Sequence, residues 1–120
     1  MSYEINPVNS FCTGEFNTKN ATLKQNASAT ADVKAGTLLY VDDDGKMNVF
    51  TDEVSTASPI AVLLNDVTET AIKADDVVAT VIYGAKVSKK ALEAVNTDVT
   101  ITDALVWESY KNGLDIIDEQ

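Results

Sequence analysis

Apolar and polar positions alternate over short stretches along most of this chain, and few runs carry a helical period. Val33-Lys34-Ala35-Gly36 reads as a strand end and a turn. Thr37 to Val41 and Lys46 to Phe50 flank Asp42-Asp43-Asp44-Gly45, and glycine at the last turn position accepts positive φ, which predicts a β-hairpin. Pro59 opens the continuous apolar run Ile60 to Leu64, a short strand buried on both faces. Asn65 to Thr70 carries the chain out of it as a loop. Val77 to Tyr83 is apolar at both parities, as expected of a central strand, and Gly84 ends it before Ala85 to Val87 continue.

Two short helices are predicted next. Ser88 can cap Lys89 to Val95, with Ala91, Leu92 and Val95 on one face. Thr102 or Thr100 can cap Asp103 to Lys111, and Asn112-Gly113 is a stop signal. Leu114 to Ile117 makes a last strand.

Residues 1–31 read differently. Asn, Ser, Thr and Lys dominate, no period persists, and large apolar residues stand singly at Tyr3, Ile5, Val8, Phe11, Phe16 and Leu23. Many such termini are plain disordered tails. Here the isolated apolar side chains exceed what a linker needs, so an extended arm that adds a strand to a partner's sheet edge is expected over 1–31. A β-rich body then spans 32–120.

Composition strengthens the β reading. Val, Ile and Thr supply 34 of 120 residues, and β-branched side chains favour a pleated surface. Charge narrows the function. Nine lysines, no arginine and no histidine face 19 acidic residues, for a formal net charge of −10. Such a surface repels phosphate backbones and anionic lipid, so neither nucleic acid nor membrane is an expected partner. No apolar run reaches the ~20 residues that span a bilayer, and residues 1–9 show no secretory pattern. The lone Cys12 fits a reducing, cytoplasmic site of synthesis.

Candidate chemistry fails residue by residue, so no enzyme and no cofactor are expected. Without histidine, Ser-His and Cys-His pairs are impossible. Cys12 reads as a spectator thiol, with nothing to lower its pKa. The five glycines are too scattered for a phosphate cradle. An EF-hand frame on Gly45 places Tyr40 at its first position and Thr51 at its last, so Asp42 to Asp44 read as a solvated hairpin tip, not a metal site. Asp75 and Asp76 are neighbours on a strand entry and diverge. Trp107 and Tyr110, three apart on a helix, read as a packing pair in the core or at a subunit contact, in preference to a ligand-stacking pair.

The order of these pieces carries a resemblance. Ala35-Gly36-Thr37-Leu38-Leu39 is followed by an acidic hairpin with Gly45-Lys46, then Pro59-Ile60-Ala61-Val62-Leu63-Leu64-Asn65-Asp66-Val67, then Gly84-Ala85-Lys86-Val87 and a helix with Leu92. Ala104-Leu105 and Asn112-Gly113-Leu114-Asp115-Ile116-Ile117 close the chain. Over roughly residues 30 to 117 this resembles the lambda-type head decoration proteins of tailed bacteriophages, though Ala61 stands where that family usually has glycine. The resemblance implies a mainly β, β-clip-like fold with two short helices. It implies a homotrimer on the outer capsid surface that cements the expanded head against internal DNA pressure. It further implies that the arm pairs with the major capsid protein, and Ile5, Val8, Phe11 and Phe16 are the candidate capsid contacts. The alternative expectation is a surface adhesion or carbohydrate-binding β module, such as a head fibre or a secreted repeat.

Overall fold

The computed structural model describes residues 12–13 and 16–118. The strands in chain order are β1 (Cys12–Thr13), β2 (Asn17–Leu23), β3 (Leu38–Val41), β4 (Met47–Val49), β5 (Ala61–Leu63), β6 (Val77–Tyr83), β7 (Lys86–Ser88) and β8 (Asp115–Ile117). Three helices join them: α1 (Glu69–Ala74), α2 (Lys89–Val95) and α3 (Asp103–Lys111). The architecture is mainly β.

Five strands close a small barrel in the order β2-β4-β3-β5-β6. All its neighbouring pairs are antiparallel except β2 with β4, which closes the ring in parallel through Leu23 opposite Met47. The other three strands form a separate sheet in the order β1-β7-β8.

Side-chain alternation explains why the strand sequences look apolar throughout. Leu39, Ala61, Leu63 and Val81 point into the barrel with Leu23, and Ile72 of α1 joins them. Their neighbours Leu38, Val62 and Ile82 point outward, where Val87, Leu92, Leu114 and Ile116 cover them. The barrel wall is thus buried on both faces at these positions, and both parities are apolar. Ala61 lies in an ordinary strand, because no non-glycine residue has positive φ among the described residues.

The helix starts follow the expected caps. Ser88 Oγ accepts from Ala91 N–H, and Thr102 Oγ1 accepts from Leu105 N–H. Gly113 reverses the chain after α3 at φ 91°. One buried side chain joins the helical layer to the barrel. Asn96 Oδ1 accepts from Leu38 N–H at 2.8 Å, and its Nδ2 donates to the Gly36 and Leu92 carbonyls, each at 2.9 Å.

Two expectations need correction. The described residues hold three helices where two were expected: Thr68 caps α1, whose single buried residue is Ile72. The arm does not extend to residue 31. All seven residues of β2 pair with β6, from Asn17 opposite Tyr83 to Leu23 opposite Val77. Leu23 and Ala29 are core residues, so this stretch belongs to the body. Its Asn and Thr side chains face solvent, and only alternate positions carry apolar groups.

Candidate functional site

Strand β2 is paired along its full length on one side only. On the other side its sole ladder contact among the described residues is Leu23 with Met47, where Lys24 N–H donates to the Met47 carbonyl at 2.9 Å. Backbone polar groups alternate in direction along a strand. Those of Thr18 and Asn20 therefore point the same way as Lys24 N–H, and no strand among the described residues lies opposite them. The barrel wall is open at this place. A cleft of about 630 Å³ occupies the opening, with apolar lining from Val41, Met47, Ala61 and Val81. Tyr83, Lys19 and Asn112 also line it. Asn112 is held there by its Nδ2 bond to the Pro59 carbonyl at 3.0 Å.

Exposed apolar side chains concentrate at this cleft. Val41 is 39% exposed, Tyr83 42% and Val78 73%, and all three line it. A second concentration lies on α3. Trp107 and Tyr110 form an edge-to-face pair with centroids 5.8 Å apart, yet they remain 64% and 54% exposed. They project as an aromatic knob. The core placement considered from sequence is not found: the inward face of α3 carries Ser109, Leu105 and Val106 instead.

The acidic hairpin is bonded internally. Asp42 Oδ1 accepts from the Asp44 and Lys46 N–H groups at 2.9 and 3.0 Å, and Oδ2 accepts from Asn48 Nδ2 at 2.8 Å. The Asn48 bond, followed by the Lys46 N–H, holds the Asp42 carboxyl below its ordinary value. Asp76 accepts from Gln25 N–H and pairs with Lys46 Nζ, both at 2.8 Å. That lysine lowers the Asp76 pKa, and Asp76 raises that of Lys46. Asp75 meanwhile accepts from Asp76 N–H. The three aspartates thus serve a turn, a strand anchor and a helix end. Among the described residues no group of three metal-ligating side chains converges.

The remaining site expectations concern the N-terminus. Ile5, Val8 and Phe11 lie outside the described residues. Phe16 is half-buried against the outer core cluster. Cys12 is buried in β1 opposite Val87, and burial pushes its thiol pKa up to about 11. A thiol so shifted is almost wholly protonated at neutral pH, and inert.

Sequence reasoning missed the cleft. Lys19, Ala21 and Leu23 do recur at period two, but the signal is diluted by a solvent-facing row of Asn and Thr. No helix among the described residues is long and apolar enough to cross a membrane. Searches of family models and of curated proteins find no match to the sequence.

Proposed function

We propose that this chain is a capsid decoration protein. It binds the outer surface of an expanded phage head as a homotrimer and cements it against internal DNA pressure. The observation that carries the reading is the ordered set of motifs from Ala35-Gly36 to the Asn112–Ile117 ending. These motifs supply the hairpin, central strands, caps and last strand of one continuous body. A β-clip-like fold is part of the same reading.

The mechanism is passive. Residues 1–11 adjoin the body at β1, an outer strand of the three-stranded sheet. In this account they pair with a strand of the major capsid protein, and Ile5, Val8 and Phe11 fill apolar pockets beside it. Ordering such a segment consumes several kcal/mol, roughly 2–5, of its gross interaction energy, so one arm binds modestly. Three arms on one rigid trimer engage together, and avidity exceeds single-arm affinity by about 10²–10⁴. The charge of −10 keeps the body in solvent and away from the packaged genome.

The test is co-sedimentation with expanded heads of the cognate phage. Full-length protein is expected to bind saturably, and a chain beginning at Cys12 to bind much more weakly. Equal binding by both would remove the arm mechanism, and binding by neither would remove the function. A cut at residue 20 is unsuitable because it deletes half of β2.

A further inference from the structure

Among the described residues the large apolar side chains left exposed are Val41, Val49, Val78, Tyr83, Trp107 and Tyr110. Three line the cleft and two form the knob on α3. A concavity and a projection of matching character on one chain invite a head-to-tail contact. We propose that the Trp107–Tyr110 knob of one copy inserts into the Val41–Tyr83 cleft of a second copy, forming the seam of the oligomer. The inference rests on the proposed function only for the number of copies, three.

Chemistry supports this occupant in three respects. First, buried indole N–H and phenol O–H groups need hydrogen-bond partners. The cleft borders an edge of β2 where, among the described residues, no strand lies opposite the Thr18 and Asn20 carbonyls. Second, Lys19 lines the cleft and joins no ion pair among the described residues, while Glu108 sits beside Trp107 at the knob. Lys19 is thus available to a carboxylate arriving with the knob. Glu108 would leave an exposed, 3.4 Å pair with Lys111, which holds it only weakly. Third, the area fits an assembly that closes. Two aromatic side chains bury about 150–250 Å² each in full, but these are already a third to a half covered, so knob and cleft together bury about 350–600 Å². A stable pair needs roughly 1,200–2,000 Å². One contact is therefore weak, and a ring in which every copy gives a knob and receives one gains from closure.

The experiment uses the full chain in sedimentation velocity across a concentration series, with fluorescence read in parallel. Trp107 is the only tryptophan. Its emission is expected to shift to the blue as wild-type protein associates. Trp107→Ala and Val41→Glu are each expected to weaken association roughly 10- to 100-fold, the first by loss of an aromatic anchor, the second because its carboxylate fills the apolar cleft and takes Lys19 from the incoming Glu108. Both sites are exposed, so melting curves should stay near wild type; Tyr83→Ala replaces Val41→Glu if that variant melts early. Mixing the two variants is the sharper arm. Trp107→Ala keeps an intact cleft and Val41→Glu an intact knob, so the mixture should form pairs that neither forms alone.

Association of both variants at wild-type strength overturns the proposal, as does a mixture that associates no more than either variant alone at concentrations high enough to populate a single open contact. Loss of shell binding with unchanged self-association also overturns it, and gives the cleft to the shell protein. A wild-type chain that associates through this contact but ignores shells supports the inference and removes the decoration function.

Discussion

Asn96 is the side chain on which the helical layer and the barrel depend, and removing it has a calculable cost. It is 7% exposed and makes three hydrogen bonds across the junction. In Asn96→Ala, Leu38 N–H loses its acceptor at a residue that is 0% exposed. The Gly36 carbonyl loses its Nδ2 donor, whereas the Leu92 carbonyl still accepts from the residue-96 N–H at 2.7 Å. One orphaned buried donor costs about 1–3 kcal/mol, and one under-satisfied carbonyl adds about 1 kcal/mol. The expected loss is therefore about 3 kcal/mol, a large part of the ~5–15 kcal/mol that holds a domain together. Urea unfolding at unchanged m-value reads it directly, and the melting temperature should fall by about 10 °C. Asn96→Asp keeps the acceptor for Leu38 N–H but sets a carboxylate against the Gly36 and Leu92 carbonyls, so it should be at least as damaging at neutral pH. A loss below about 0.5 kcal/mol in Asn96→Ala would refute the reasoning, because that is the range of an ordinary surface change.

Three further outcomes follow from particular atoms. Ser109 Oγ is buried without a hydrogen-bond partner among the described residues, so Ser109→Ala should leave stability unchanged or raise it by up to about 1 kcal/mol, read by urea unfolding. Gly84 has φ 57°, and a Cβ there would lie 3.0 Å from Asn17 Nδ2, so Gly84→Ala should cost about 1–2 kcal/mol in the same assay. The Asp42 and Asp76 carboxyls are held below their ordinary values, so their contribution is fully present at neutral pH and disappears as pH falls below about 4. Acid titration should show that loss reduced in Asp76→Asn, which removes one of the two shifted carboxyls.

Local chemistry made much of the fold readable. Gly45, at φ 81°, ends the acidic turn and fixes the hairpin, and Ser88 and Thr102 mark helix starts by their cap bonds. Val77 to Tyr83 reads as a central strand because both faces are covered, by the barrel interior and by the outer cluster. What stayed hidden depends on contacts distant in sequence. Among the described residues strand β2 is paired on one edge only before Leu23, and one face lies in water, so Asn17 to Thr22 carry the composition of a linker. Helix α1 rests on a single buried anchor, Ile72, too little to set a period. The cleft exists only because β2 meets β4 at one residue pair, a matter of barrel closure. The knob was visible as a pair at helical spacing; that it faces solvent follows from Ser109 occupying the inward face of α3.

We propose that the chain adheres to a viral shell as a threefold clamp, and electron cryo-microscopy of expanded heads incubated with the full-length protein can see such a clamp. Three barrels are expected around each capsid threefold position, with residues 1–11 of each continuing onto the underlying shell. Undecorated heads at saturating protein, or single copies touching the shell without their N-terminal residues, would rule it out.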